Sequence, residues 1–483
     1  MKRSIAVASV LAAAVAAVQA QPAPTTPPAD QGSGSGSGSG SAGSGSGSAP
    51  DWLPGVQDVT AAEMATPGKV TLSMARAVEL AKRQHPNVRA ARATADVAYG
   101  RVEQAKVVEH PTLTLAGTLG ASSKSGSLNT KNDTFTPPGF FTVQESTGLS
   151  ATASWRIYDF GQTKANVRAA EATADAQDAS IGTTELDTAQ AVELAYLESV
   201  ARRRLVIVAQ ATVKSDEAHL DQAQRFVAAQ AHDPIEVAQA QATLANARSA
   251  LAQAESSEAI ALANLRAAIG WIDPTRAPAV DPSWPTPTET NPAPLPELVD
   301  TAQKHRPEIL ALQKDIEASQ FSLDAAKDER RPVLSATASS LWGPTSQQSW
   351  TIYQPTWQAG ITLSWQAWDG GKSYADQHVA RANLQVSIAQ RDELLVTLTS
   401  SLESAASQIN TNRAAVEAAN EGVTAAQAEL HLAEARYAQG LGSQIELADA
   451  QTAVTTAEGN LVQAEWQLAD AWVSLNRQLG VDL

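Results

Sequence analysis

The sequence predicts an α+β membrane protein built as an internal twofold repeat, each half supplying a pair of β-strands and a very long helical hairpin. Three observations carry this: landmarks that recur at one fixed offset, four segments that alternate apolar and small polar residues, and two helical runs without internal proline.

The repeat comes first because it organises everything else. Ser154-Trp155-Arg156-Ile157-Tyr158-Asp159-Phe160-Gly161 is echoed 210 positions on by Ser364-Trp365-Gln366-Ala367-Trp368-Asp369-Gly370-Gly371. Ala268-Ile269-Gly270 and Gln478-Leu479-Gly480 stand at the same offset. His85-Pro86 is followed 25 residues later by His110-Pro111, and Arg306-Pro307 by Arg331-Pro332 at the same interval. Between the proline and tryptophan landmarks the first half is 11 residues longer, which places an insertion in its strand-to-strand loop.

Ahead of the repeat, Met1-Lys2-Arg3, the short apolar run Ile5 to Val18 and the small-x-small site Val18-Gln19-Ala20 read as a signal peptide over residues 1–20. Residues 21–50 are Pro-rich and then nearly pure Gly/Ser, a composition that buries nothing and behaves as a flexible linker. The first repeat is expected over 51–270, a Pro-rich connector over 271–294, and the second repeat over 295–483. No later apolar stretch reaches the roughly 20 residues a spanning helix needs, so any membrane crossing must use strands closed into a barrel.

Within each repeat the order is helix, strand, loop, strand, very long helix, tip, returning helix. A helical run begins at Leu72 and contains His85-Pro86; its counterpart runs from Leu295 to about Arg330. Strand pairs are expected at 112–119 with 147–155 and at 333–342 with 357–365. In the second strand Leu149, Ala151, Ala153 and Trp155 share one face, and Gly148, Ser150, Thr152 and Ser154 the other. An apolar face towards lipid and a small polar face towards a lumen is the alternation of a membrane barrel, although a soluble antiparallel sheet carries it too.

The helices separate those readings. Gly161 to Phe226 and Gly371 to Tyr437 would each be about 65 residues, roughly 100 Å at 1.5 Å per residue. Leu384, Ile388, Leu395, Leu398 and Leu402 fall on the 3.5-residue seam of coiled-coil packing. The returning helices, from Ile235 and Ile445, are about half as long, so two short helices end to end match one long one. Four strands cannot close a barrel with a lumen, and an open edge in lipid costs several kcal/mol per unsatisfied backbone group, so self-association is required.

Bulk composition excludes much else. With 51 acidic against 35 basic residues an electrostatic grip on nucleic acid is not expected, and the absence of cysteine removes disulfides, thiol catalysis and cysteine-ligated zinc. Gly370-Gly371-Lys372-Ser373 matches the end of a phosphate loop, but the required upstream glycine is Gln366. The seven histidines are scattered without metal-ligand spacing, so no catalytic residue, metal or cofactor is expected and the chain is read as not an enzyme.

From Trp52 to Leu483 the chain resembles the TolC family of outer-membrane factors. The resemblance is carried by the duplicated helix start (Leu72 to Ala81, through His85-Pro86), the duplicated turns (Trp155, Asp159, Gly161; Trp365, Asp369, Gly371), and the stretch Arg436-Tyr437-Ala438-Gln439-Gly440 through Glu446-Leu447-Ala448-Asp449-Ala450-Gln451. It implies a homotrimer in the Gram-negative outer membrane: a twelve-stranded β-barrel, four strands per chain, continuous with a periplasmic α-helical barrel. It also implies a passive exit duct docked to a periplasmic adaptor (membrane fusion protein) and an inner-membrane transporter, in an efflux or type I secretion system. A periplasmic coiled-coil adaptor or structural protein is the alternative, disfavoured by the duplicated strand pairs.

The same resemblance places a periplasmic aperture at Glu446 and Asp449, whose three-residue spacing puts them on one helix face. Their plainer reading is charge compensation at the helix N-terminus. It implies further that Glu236 and Tyr437 bond across helices in the closed state, with Gly442 standing where some members place an arginine. The tips Ala229, Gln230, Ala231, Gly440, Leu441, Gly442 and Ser443 resemble adaptor-contact surfaces, and are also ordinary hairpin turns.

Overall fold

The computed structural model describes residues 69–125, 141–230, 233–272, 277–284, 291–344 and 353–481; the signal peptide and linker expected over 1–50 lie outside these. The elements, in chain order, are β1 (Lys69–Thr71), α1 (Met74–Gln84), α2 (Pro86–Lys106), β2 (Thr112–Ser125), β3 (Phe141–Tyr158), α3 (Gln162–Ala228), α4 (Ile235–Ile269), β4 (Ala277–Ala279), α5 (Leu295–His305), α6 (Pro307–Asp328), β5 (Val333–Pro344), β6 (Tyr353–Ser364), α7 (Lys372–Ala438) and α8 (Gln444–Leu479). Among the described residues no helix is long and apolar enough to cross a membrane.

The helical run expected from Leu72 through His85-Pro86 is two helices, and so is the one expected from Leu295 to Arg330. A proline crowds the residue before it out of the helical region. His85 (φ −61°, ψ 134°) and Arg306 (φ −72°, ψ 119°) are accordingly extended. Each break is filled by the end of a returning helix. A Cβ on Gly270 (φ 82°) would stand 3.1 Å from His85 Cα, and one on Gly480 (φ 78°) 2.9 Å from the His305 carbonyl carbon. The proline and glycine landmarks of a repeat are therefore two sides of one contact.

Around these contacts lie two matching cores. In the first, Leu80 and Ala81 of α1 meet Val192, Tyr196 and Val200 of α3 and Leu265 and Ile269 of α4. In the second, Leu298 and Ala302 of α5 meet Leu398, Leu402 and Ile409 of α7 and Trp472 and Leu475 of α8. Each fully buried aliphatic side chain here contributes about 1.5–3 kcal/mol. Leu398 and Leu402 of the expected seam are buried, while Leu384, Ile388 and Leu395 are partly so.

The long helices, α3 and α7, have 67 residues each, hence about 100 Å. Both pack against their returning helices, and α3 also lies against α2, α6 and α8. In the connector, β4 pairs in parallel with β1, Tyr196 donates its hydroxyl to the Leu72 carbonyl at 3.1 Å, and Trp284 donates Nε1–H to Glu465 at 2.9 Å. Residues 273–276 and 285–290 of the connector lie outside the described residues. Near the second core, Arg477 bonds Glu308 at 2.6 Å and Asp187 at 2.7 Å, and Arg306 bonds Glu308 at 3.3 Å, which ties α8, α6 and α3 together.

The sheet runs β2-β3-β5-β6, antiparallel throughout. Its strands outrun the expected segments: β2 reaches Ser125, β3 spans Phe141 to Tyr158, and β5 and β6 meet at Pro344↔Tyr353. Backbone hydrogen bonds continue the ladder where side-chain alternation fades, so the pattern marks only part of each strand. At the other end β6 stops at Ser364, leaving Trp365 outside the ladder. Registers Leu113↔Ala153↔Ala338↔Ala359 and Thr114↔Thr152↔Ser339↔Gln358 show one apolar and one polar face carried across all four strands. Among the described residues both outer strands, β2 and β6, have an unpaired edge.

Candidate aperture and barrel junction

At the far ends of the long helices two tips come together. The α7–α8 tip closes α7 with Gly440 at φ 71°, Gly440 N–H bonding the Tyr437 carbonyl at 3.0 Å and Leu441 N–H that of Arg436 at 2.9 Å. This is the paired-bond C-cap that a left-handed glycine permits. Ser443 then caps α8, its Oγ accepting from Glu446 N–H at 3.2 Å. At the α3–α4 tip Gln230 occupies the left-handed region (φ 58°) without being glycine, and Asp233 Oδ1 accepts from Ile235 N–H at 3.0 Å. Ala229 is the C-cap of α3, and Ala231 lies outside the described residues.

Tyr437 is fully buried between the hairpins, among Ala433, Leu447, Ala450, Phe226 and Leu430. Its hydroxyl donates to Glu236 Oε2 at 2.9 Å, and its ring lies 5.7 Å from that of Phe226. Burial, and then the Glu236 carboxylate, hold the phenol well above its usual range, so it stays a donor. Glu236 opens α4 and Tyr437 closes α7, so one bond spans the two repeats.

Glu446 and Asp449 are both exposed, while Leu447 and Ala450 beside them on α8 are buried. Glu446 pairs with Arg436 at 3.3 Å and sits three residues after the capping serine, the position of a capping-box glutamate. Asp449 is beyond the first turn, where the helix dipole has faded. The N-terminal explanation therefore covers Glu446 and not Asp449. At Gly442 a Cβ would meet Tyr437 N at 3.1 Å and Arg436 Cβ at 3.3 Å, so the site holds no side chain without local adjustment.

At the opposite ends of the long helices, each strand-to-helix turn is an aspartate cap. Asp159 accepts from Thr163 N–H at 2.8 Å and Gly161 N–H at 3.3 Å; Asp369 accepts from Ser373 and Gly371 N–H, both at 2.9 Å. Gly161 (φ 114°) and Gly371 (φ 93°) take the left-handed backbone these caps require. The Ser373 hydroxyl and backbone bonds hold the Asp369 carboxyl down at about 2. Trp155 and Trp365 each fasten an indole N–H to the start of the hairpin, on the carbonyls of Glu109 at 2.9 Å and Arg330 at 3.1 Å. Lys372 is held by Glu329 at 2.8 Å and Asp376 at 2.7 Å, so Gly370-Gly371-Lys372-Ser373 is a capping turn and not a phosphate cradle.

The outer membrane efflux protein family model matches residues 77–271 and 298–481, most of both repeats. The chain belongs to that family. Nodulation protein T of Rhizobium leguminosarum bv. trifolii is 23% identical over 410 residues, spanning 83% of this chain and 84% of its own. Protein CyaE of Bordetella pertussis is 25% identical over 387 residues, 79% of this chain and 78% of its own. Among solved structures, CusC, studied for its folding and transmembrane channel formation, superposes with a TM-score of 0.70 at 15% identity, over 86% of this chain and 94% of its own.

As an outer membrane efflux protein the chain is an outer-membrane exit duct, and its strand and helix layers are the protomer of that channel fold. Some features of its tips escape sequence reasoning. The Arg436–Glu446 pair is one, although the Ser443-x-x-Glu446 spacing was a readable cue. Another is a small pocket of about 10 Å³ between the hairpins, where Asp216, His219, Thr243 and Gln444 stand beside Ala240, Leu447 and Ala448. Burial pushes the Asp216 carboxyl up, against the pull of His219. No pattern in α3 singles out Asp216, because the residues around it come from α4 and from α8, the latter more than 200 residues away.

Proposed function

We propose that three copies of this chain close one twelve-stranded barrel and one helical tunnel, a passive duct from a periplasmic adaptor and an inner-membrane pump to the exterior. The observation that carries the reading is the four-stranded sheet with an apolar face and two bare edges. In lipid those edges must pair, and β6 and β2 run in opposite directions, so the β6 edge of one copy meets the β2 edge of the next as an antiparallel neighbour. A head-to-tail contact of this kind closes into a ring when the rotation from copy to copy is a third of a turn. Energy comes from the pump, and no step of chemistry is assigned to the duct.

The tips are the gate in this reading. Tyr437 and Glu236 hold the hairpins together when the duct is idle, and Asp449, with Glu446, lines the aperture. Leu441, 70% exposed, and the neighbouring Ile445 and Ile235 present apolar surface beside Ala229, Gln230, Gly440, Gly442 and Ser443. Apolar residues exposed at a tip favour an adaptor contact there.

Repeated threefold, the Asp449 and Glu446 carboxylates raise the local cation concentration in a narrow aperture. Replacing both by alanine is expected to lower the cation-over-anion permeability ratio severalfold in planar-bilayer recordings. Asp449→Ala alone should account for the larger share of the fall, since Arg436 partly offsets the charge of Glu446. An unchanged ratio in the double variant would reject the aperture assignment.

A further inference from the structure

The polar face of the sheet is lined by small hydroxyl side chains, among them Thr114, Thr152, Ser154, Thr337 and Ser339. Among the strand positions whose side chains are described, one is charged: Arg156. It falls on the polar face by register, two residues after Ser154 and opposite Ser335, just before the irregularity between Arg156 and Tyr158. It therefore stands at the end of β3 where the barrel gives way to the long helix α3.

Its charge is not cancelled there. Among the described residues its ion pair is with Asp159, at a loose 3.6 Å, and the side chain remains 41% exposed. Asp159 is itself buried and occupied by Thr163, by Gly161 N–H and by the first turn of α3. Burial alone would raise the Asp159 carboxyl, but the bonds from Thr163 and Gly161 and the nearby Arg156 charge together outweigh it and hold the group below its usual range. The aspartate's charge is thus shared between the helix N-terminus and Arg156, and the guanidinium stays part-exposed on the polar face. The second repeat has neutral Gln366 at the matching place, so the feature is peculiar to the first.

Building on the three-copy ring, we infer that Arg156 forms a ring of three guanidinium groups at the periplasmic mouth of the barrel, a binding site for carboxylate- or phosphate-bearing solutes in transit. Twelve strands about 4.8 Å apart and tilted near 40° enclose a backbone radius of roughly 12 Å. An arginine reaches about half that distance inward, so an ion on the axis lies within a Debye length, about 8–10 Å, of all three charges. Planar guanidinium forks pair with such oxyanions in bidentate fashion. The duct then carries two filters of opposite sign in series, acidic at the aperture and basic at the barrel mouth.

The test is single-channel recording of the full chain in planar bilayers, with inorganic tripolyphosphate as probe, added to either side. Wild-type current should be inhibited by tripolyphosphate, R156Q should need severalfold more probe and show reduced anion permeability, and R156K should keep most of both properties. The differences should fade in 1 M salt, where screening shortens to about 3 Å. R156Q channels with wild-type permeability ratio and probe sensitivity would overturn the inference. Failure of the wild-type chain to conduct at all would instead overturn the ring on which it rests.

Discussion

Replacing Tyr437 with phenylalanine is expected to let the closed tips open, and adding Glu236→Gln should change little more. The substitution keeps the packing against Phe226, Leu447 and Ala450 and removes one hydroxyl, whose 2.9 Å bond to Glu236 spans the two hairpins. A hydrogen bond to a charged partner contributes about 1.5–3 kcal/mol, so each protomer loses roughly a tenfold to hundredfold bias towards closure. With three such bonds per ring the effect multiplies. Resting conductance in bilayers, and sensitivity of cells to a large antibiotic normally kept out, should both rise at least tenfold. Equal resting conductance in Y437F and the wild type would remove this bond from the gate.

The largest stability effect is expected at Arg477. Its side chain is 12% exposed and joins Glu308, 18% exposed, to Asp187 on α3. Arg477→Leu strands the Glu308 carboxylate with Arg306 alone, at 3.3 Å. Breaking a buried pair from one side costs about 3–5 kcal/mol, and the surviving arginine places this case near 3. Removing Glu308 as well, with Glu308→Leu, should restore most of the loss.

The pH dependence has a definite sign. Burial pushes the Glu308 carboxyl up, but Arg306 and then Arg477 pull it further down, so its folded value lies below the unfolded one. Stability from this group is present above the unfolded glutamate value of about 4.3 and is lost as pH falls through the lower folded value. The gap between wild type and R477L should therefore be full at neutral pH and close below about pH 4. Thermal midpoints in detergent across that range check it, and a gap that is constant with pH would contradict the assignment to Glu308.

How far the sequence carries this fold depends on the range of each interaction. Local chemistry is legible: the aspartate-glycine turns at Asp159-Gly161 and Asp369-Gly371 follow from what a helix N-terminus needs, and the structure shows those bonds. The helix breaks at His85 and Arg306 were equally local, since a following proline forbids the helical conformation, yet the amphipathic pattern runs across them and suggests one helix. Strand ends were legible only where side chains alternate; beyond that, β2 and β3 are held by backbone bonds to which residue type is nearly indifferent.

Pairings between repeats are another matter. Tyr437 and Glu236 are 201 residues apart, and only the family resemblance brought them together beforehand. Nothing linked Arg477 to Glu308, because a buried ion pair leaves no periodic trace in either helix. Arg156 was visible within a quoted motif but became informative only once the register put it on the polar face.

The central claim is that the bare edges of β2 and β6 are sealed by other copies of the chain. The chain has no cysteine, so a pair introduced at Thr114 on β2 and, stepwise, at Gln358, Gly360 or Thr362 on β6 reports on nothing else. Within one protomer these edges are three strand spacings apart, roughly 14 Å, well beyond the disulfide limit of about 7 Å. Oxidation in outer membranes, followed by denaturing electrophoresis, should give species of two and three chains and none larger, collapsing to one chain on reduction. Single chains at every pair tested, or a ladder running past three, would contradict the account.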